Sequence, residues 1–486
     1  MNAKNFQNNP SSIFSIDLNI LPSDLKQVHL MGICGTGMAS LAGLLKQKGY
    51  TVSGSDENIY PPMSNLLEDL NIQVTKGYTP QNLSPRPDLV IVGNVITKQN
   101  PEAVELSKKK IPYLSLPQAL REFAMPGKKS IVISGTHGKT TTSTMAAWIL
   151  EKAGMDPGFM IGGIPQNFHQ SFKSGKGDYF VIEGDEYDTA FFDKGPKFLH
   201  YNPFITILTS IEFDHADIYR DLDHVKANFQ KLVSIIPRNG LLIANYDDPL
   251  VMAEAEKAKC RVTTYGLKRG ADWRAAGIVT IDNMTNFEVR NNEKHYSSVV
   301  TPVYGDHNIS NLLSAIALSE FLNIDSAFLS SALIDFKGVK RRQEIRGEKN
   351  GIMILDDFAH HPTAVEKTVE AVKERYKNRR LIAVFEPRSN SSRRNIFQER
   401  YSTAFDKADL IFIPEPPMMD KIPLDERFSS SRLVDDLKAK GLDAFYSPDT
   451  DSLLEGIISN TEEGDIILIM SNGSFDNLHE RLLKKL

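Results

Sequence analysis

The sequence predicts an α/β protein built from several doubly wound blocks. Short apolar strands alternate with helical patterns along most of the chain, as parallel sheets require. Glycine turns and carboxylate-bearing turns directly follow several of these strands, where open α/β sheets hold their ligands. The 486 residues also exceed one core, because about 150 residues per domain sets a prior of roughly three domains.

The elements follow in order. Residues 1–25 are polar and Asn-rich at the start and read as a loose N-terminal extension. Within 26–127, strands are expected at Val28–Ile33, Thr51–Val52, Ile72–Thr75 and Leu89–Val92. Pro126-Gly127 is a turn dipeptide before a new apolar strand and marks a boundary. The block 128–340 opens with a strand at Ser130–Ser134 and a helix over Thr141–Ala153, followed by strands at Tyr179–Ile182, Ile205–Leu208 and Leu241–Ala244. Arg261 to Val303 alternates in polarity and is rich in Asn, so it reads as appended antiparallel strands, with helix resuming over Asn308–Phe321. The last block, 341–486, has strands at Ile352–Leu355, Leu381–Phe385, Leu410–Ile413 and Ile466–Met470 with helices between them.

Composition excludes several classes. Apolar residues make up 41% and charged residues 24%, which is ordinary for a globular chain and unlike a disordered one. A net charge of −5 argues against a nucleic-acid binder, which presents a basic face. Cys34 and Cys260 are the two cysteines, too few for a disulfide framework or a four-cysteine zinc site. No apolar run reaches the ~18 residues of a membrane span, and Met1 to Asp17 lacks the apolar core of a secretory signal. The expectation is a cytoplasmic protein with no membrane partner.

The strongest motif is Gly135-Thr136-His137-Gly138-Lys139-Thr140, between an apolar strand and a helix. Glycine permits the tight turn, and the helix start presents N–H groups to an anion. Lys139 can reach terminal phosphates, and Thr140 can ligate magnesium. The spacing is shorter than Gly-x4-Gly-Lys-Ser/Thr, whose first glycine would fall at Ile133. The loop resembles the ATP loop of the Mur ligases, which build the peptide of bacterial cell-wall precursors. Further motifs extend the resemblance in the family's order from about Val28 to Gly473. It implies a three-domain Mur ligase architecture: a Rossmann-like N-terminal domain, a central P-loop ATPase-like domain and a C-terminal doubly wound domain. It also implies ATP and magnesium as cofactors, with Thr141 completing the ATP loop.

Glu183-Gly-Asp185-Glu186-Tyr-Asp188 follows a strand near that loop. A carboxylate there can hold magnesium, although the cluster alone reads equally well as a solvated loop. The resemblance assigns magnesium to Glu183, alongside Thr140, and, through Glu212-Phe-Asp-His215-Ala-Asp217, a second magnesium to His215. The carbamylated-lysine position of several family members falls on Gln230 here, and the muramate-using branch is similar in lacking that lysine. By the same resemblance His307, Asn308 and Arg342 reach the nucleotide, Asp356 its ribose, and His360 the reaction cleft. Read without it, Gly305-Asp-His307-Asn308 is also a plain helix start.

Gly32-Ile-Cys-Gly35-Thr36-Gly37-Met38 follows the first strand, and Asp56 ends the next. Dinucleotide binding by an oxidoreductase is the first rival, but Gly-x-x-Gly-x-Gly is not the Gly-x-Gly-x-x-Gly fingerprint. In the family this loop holds the UDP of UDP-N-acetylmuramate. A nucleotide-binding regulator that has lost turnover is a second rival; the intact Lys139, Thr140, Glu183 and His215 set argues against it.

Within the family, Tyr60-Pro-Pro-Met-Ser64, Glu186 to Lys194, Phe198 to Tyr201, Glu386-Pro-Arg388-Ser-Asn390 and Met470-Ser-Asn-Gly473 resemble a particular branch. That branch recycles peptidoglycan by adding the whole tripeptide L-alanyl-γ-D-glutamyl-meso-diaminopimelate. Arg388 could pair with a peptide carboxylate through its two-pronged guanidinium. The alternative is the branch that adds free L-alanine in de novo synthesis.

Overall fold

The computed structural model describes residues 13–59, 63–216 and 218–486, so Tyr60, Pro61, Pro62 and Asp217, each quoted above, lie outside the described residues. By its internal contacts the chain divides into two units. The first takes in the chain up to Ile211, Asp223–Tyr265 and Ser314–Asp325; the second takes in Glu212–Leu222, Gly266–Leu313 and Ser326–Leu486.

Among the described residues the first unit holds two large sheets and a short antiparallel pair, Asp188–Ala190 with Asp193–Pro196. One is wholly parallel, in the order Gln73–Lys76, Thr51–Asp56, Gln27–Met31, Leu89–Val92, Tyr113–Ser115. Leu89–Val92 is buried at every residue, which is why it reads as an unbroken apolar run. The other runs Arg261–Gly266, Leu241–Asn245, Pro203–Leu208, Lys129–Ser134, Tyr179–Gly184, Gly158–Met160, all parallel, with Phe172–Lys173 added antiparallel. Arg261–Gly266 thus corrects the expectation of antiparallel pairing: it continues the parallel ladder beside Leu241–Asn245. Its half-polar RVTTYG pattern hid that, because Arg261 and Val262 are exposed.

These two sheets meet through small residues. A Cβ on Gly43 of the helix Thr36–Gln47 would stand 2.2 Å from the Phe172 ring, so only glycine admits that contact. Ser40 Oγ and Ser171 Oγ share a hydrogen bond of 2.7 Å beside it. The described part of the N-terminal extension is docked here. The Phe14 ring lies 4.5 Å from Tyr113 and 5.0 Å from Phe191, and Asn19 Nδ2 donates to the Tyr113 carbonyl at 2.9 Å. Burial of an aromatic ring outweighs the disorder that the polar composition suggests.

In the second unit Trp273–Ile281, Met284–Asn291 and Lys294–Thr301 form the expected antiparallel run. Its six-stranded sheet has the order Glu344–Lys349, Ile352–Asp357, Ile466–Met470, Leu381–Phe385, Leu410–Pro414, Ala444–Ser447. Every pair is parallel except the first. Core side chains fill both faces of this sheet. The register sets Asp357 beside Met470 and Met470 beside Phe385. The carboxyl ends of three neighbouring strands therefore share one edge, where ligands of such sheets bind.

Candidate active site

In the first unit, register places Ser134 between Gly184 and Leu208. The turns after these strands therefore lie side by side. Gly135 has φ +131° and a Cβ there would stand 2.2 Å from Thr209 Oγ1, while Gly138 has φ +83° and caps the helix Lys139–Lys152. Both positions need glycine, and they aim the helix start into the turn. The loop is anchored on the turn after the neighbouring strand Pro203–Leu208: Thr136 N donates to the Ser210 carbonyl at 3.0 Å, and His137 N donates to Ser210 Oγ at 2.9 Å. Ser210 and Thr209 are supports that the motif alone does not reveal.

Glu183 accepts from Thr140 Oγ1 at 3.1 Å and from Gly162 N at 2.6 Å, so two of the three expected metal residues are in contact. Gly162 went unnoticed in the sequence. Lys139 Nζ donates to the Gly135 carbonyl at 2.6 Å and pairs with Glu186 at 3.0 Å. Burial pulls its pKa down, but Glu186, Asp185 and Glu183 outweigh this and raise it. Asp185 in turn pairs with the nearly buried Lys197 at 3.0 Å, whose ammonium sits 4.1 Å over the Tyr187 ring. The acidic cluster is therefore an ordered, charge-balanced turn and not a solvated loop.

In the first glycine loop, Gly32 has φ +80° and Gly35 caps the helix Thr36–Gln47. Asp56 faces inward: Oδ2 accepts from Cys34 N at 2.9 Å and Oδ1 from Asn58 N at 3.0 Å. Its carboxylate braces the loop that carries Thr36, Gly37 and Met38. Gly37 sits close against Leu116, where a Cβ would stand 3.1 Å from its side chain and require it to shift.

His215 belongs to the second unit, as do all the nucleotide and amino-substrate candidates after it. Asp356 is buried beside the Arg341 guanidinium, Nε at 3.3 Å, and the His479 ring, Nε2 at 3.2 Å. Its neighbour Asp357 accepts from Gln343 N at 2.8 Å and Ala359 N at 2.7 Å. Burial raises the Asp357 carboxyl against the opposing pull of Arg342. Asn308 Nδ2 donates to Gln343 Oε1 at 3.1 Å, and the Arg342 guanidinium lies 4.9 Å over the Phe358 ring. Asn308, Gln343, Arg342 and Asp357 thus gather at one turn. His307 lies beside Gly305, and His360 Nδ1 is 3.0 Å from the Phe358 carbonyl.

At the same edge, Glu386 accepts from Ser471 Oγ at 2.5 Å and pairs with Arg388 at 3.4 Å. Arg341 donates to the carbonyls of Ser471 and Gly473 at 2.6 and 2.7 Å. The two segments singled out in the sequence, 386–390 and 470–473, are brought together. Arg388 keeps an internal carboxylate partner while remaining part-exposed.

A glycine loop opening a helix and braced by a strand-end carboxylate, followed by a doubly wound unit with paired arginines and carboxylates at its strand ends, is the arrangement of a multidomain nucleotide-dependent ligase. The chain belongs to the Mur ligase family. The catalytic domain of the family matches residues 27–126, the Mur ligase middle domain 133–319, and the glutamate ligase domain 341–473. The chain is 40% identical over 458 residues to the UDP-N-acetylmuramate–L-alanyl-γ-D-glutamyl-meso-2,6-diaminoheptandioate ligase of Escherichia coli, covering 94% of this chain and 97% of that one. It is 34% identical to the UDP-N-acetylmuramate–L-alanine ligase of Desulforapulum autotrophicum, covering 94% and 98%. Among solved structures, the murein peptide ligase of Psychrobacter arcticus matches with a TM-score of 0.71 at 35% identity, covering 94% and 98%.

Proposed function

We propose that this protein joins UDP-N-acetylmuramate to L-alanyl-γ-D-glutamyl-meso-diaminopimelate at the expense of ATP, in the cytoplasm, as a step of peptidoglycan recycling. The observation that carries the reading is the 40% identity to the E. coli ligase of that name across nearly the whole of both chains. The family matches beginning at 27, 133 and 341 support three domains, 26–127, 128–340 and 341–486, after the extension. The first would hold the UDP-sugar, the second ATP, the third the peptide. Among the described residues no helix is long and apolar enough to cross a membrane.

The muramate carboxylate attacks the γ-phosphate of ATP, giving an acyl phosphate and ADP. The peptide amine then attacks the acyl carbon, and the tetrahedral intermediate expels phosphate. The helix start after Gly138 offers its N–H groups to the phosphates, and Lys139 exchanges Glu186 for the transferring phosphoryl group, whose charge it offsets. The resemblance gives His215 a second magnesium, while a hydroxyl and a carboxylate already 3.1 Å apart, Thr140 and Glu183, suit an oxygen-loving cation. Magnesium held there would neutralise charge on the phosphoryl oxygens. Asn308, Arg342 and Asp357 gather where a nucleoside can lie, and Arg388 offers donors to a peptide carboxylate.

The decisive experiment supplies ATP, magnesium and UDP-N-acetylmuramate with either the tripeptide or free L-alanine, following ADP release and product mass. Efficiency with the tripeptide far above that with L-alanine is expected. A preference for L-alanine would install the alternative, to which the 34% identity with an alanine ligase points.

A further inference from the structure

The segment after Ile211 carries His215, and by its contacts it is built into the second unit. Glu212 accepts from Thr363 Oγ1 at 2.8 Å. The Phe213 carbonyl lies 3.3 Å from His361 Nε2, and its ring packs edge-on at 6.5 Å from Phe397. His361 Nδ1 accepts from Thr363 N at 3.3 Å, which leaves the Nε2 proton to be donated to Phe213.

The next residue is joined to a different loop. Asp214 is buried, and its Oδ1 accepts from Ser391 Oγ at 2.8 Å and from the His215 amide at 2.7 Å. Ser391 Oγ also lies 3.4 Å from the Ala216 amide. Ser391 is itself buried in a tight turn, in which Ser392 N donates to Ser389 Oγ at 3.0 Å and Arg393 N to the Ser389 carbonyl at 3.1 Å. That turn continues directly from Glu386-Pro-Arg388. His215 has φ +52°, a left-handed conformation that a non-glycine side chain adopts only when its surroundings hold it there. The carboxylate that accepts its amide is one such restraint, and Ser391 fixes that carboxylate.

We propose that Ser391 and Asp214 are positioning residues that couple the amino-substrate loop to His215. The inference rests on the reading of His215 as a metal donor and of 386–390 as the peptide loop. A peptide that orders this loop would set Ser391, hence Asp214, hence the His215 backbone. Linkage then requires that the peptide and the divalent cation strengthen each other's binding by one and the same factor. The benefit is chemical: a cation on His215 would be fully held only when the amine is in place, which limits loss of the acyl phosphate to water.

The test measures binding, apart from turnover, on the full chain with ADP. Mn2+ serves as probe, its free form counted by electron paramagnetic resonance, with and without the tripeptide; tripeptide binding is titrated by calorimetry with and without Mn2+. In the wild type each ligand should tighten the other on the order of tenfold. In Ser391→Ala both should still bind while the factor falls to about one, and Ser391→Thr, which keeps the hydroxyl, should restore it. Ser391→Cys keeps the volume with a weaker hydrogen bond and should give an intermediate factor, so a folding failure of the alanine variant leaves the question answerable. An unchanged factor in Ser391→Ala or Ser391→Cys, or no coupling in the wild type, overturns the inference. If the wild type binds L-alanine but not the tripeptide, the substrate reading fails, and the same titration with L-alanine decides the role of Ser391.

Discussion

The side chain of Arg388 lies flat against the backbone of Gly473: a Cβ built there would stand 2.1 Å from Nε and 2.2 Å from Cδ. Gly473 therefore decides where the guanidinium points. Gly473→Ala should displace Arg388 and raise the tripeptide KM about tenfold to a hundredfold, the scale of one charge-assisted hydrogen bond. The KM for ATP should stay within about twofold. Arg388→Ala should give a similar loss, and the double variant no more than either single one, because both remove one interaction. Steady-state kinetics with each substrate varied check this, and additive losses would separate the two residues.

Glu386 carries a pH signature. Burial raises its carboxyl above the ordinary value of 4.5, and Ser471, Arg388 and Arg341 offset this only in part. A carboxyl raised in the folded state adds stability below its unfolded pKa and loses that stability as pH rises through the folded value. At neutral pH the ionised group is thus held against its own preference. Glu386→Gln should melt at or above the wild-type temperature at pH 7, and the difference should shrink as pH falls below about 5. The same variant should handle the tripeptide worse, since Arg388 loses its anionic partner. Melting curves from pH 7 to 4 would show it; a variant less stable than wild type at pH 7 contradicts it.

The interface within the first unit predicts a purely structural effect. Phe172 is fully buried against Gly43. Gly43→Ala should force the ring aside and destabilise by about 1–3 kcal/mol, the usual range for overpacking. Denaturant unfolding measures it, and an unchanged midpoint would mean that the two sheets separate without strain.

How much of this was legible follows from burial. Leu89–Val92, Leu381–Phe385 and Ile466–Met470 match the expected bounds, because strands covered on both faces read as unbroken apolar runs. Asp188–Ala190, Asp193–Pro196, Phe172–Lys173 and Ala444–Ser447 left no such run and escaped notice. The glycine turn into the helix at Lys139 was legible since glycine, lysine and threonine are consecutive. Ser210, Gly162 and Ser391 were not, because each supports its partner from a distant stretch of chain. The resemblance gave the ribose to Asp356; strand alternation sends Asp356 to Arg341 and His479, and Asp357 to the turn at Gln343 beside Asn308 and Arg342.

The last prediction separates the chemistry of Lys139 from its part in holding the site together. Lys139 stands among Glu183, Asp185 and Glu186, and Glu186 is almost wholly buried. Lys139→Met would abolish the charge needed at the phosphoryl group and would also strip a buried carboxylate of its cation, a loss of about 3–5 kcal/mol when such pairs are broken on one side. A dead single variant is therefore ambiguous. Lys139→Met combined with Glu186→Gln should recover most of the melting temperature, because the buried charge goes with its partner. Turnover should stay down by orders of magnitude, since nothing replaces the cation at the transferring phosphoryl group. The pair of measurements is a thermal melt and ADP release with all three substrates present. Recovery of both stability and ligation in the double variant would reduce Lys139 to a structural counter-ion and remove it from the phosphoryl-transfer step.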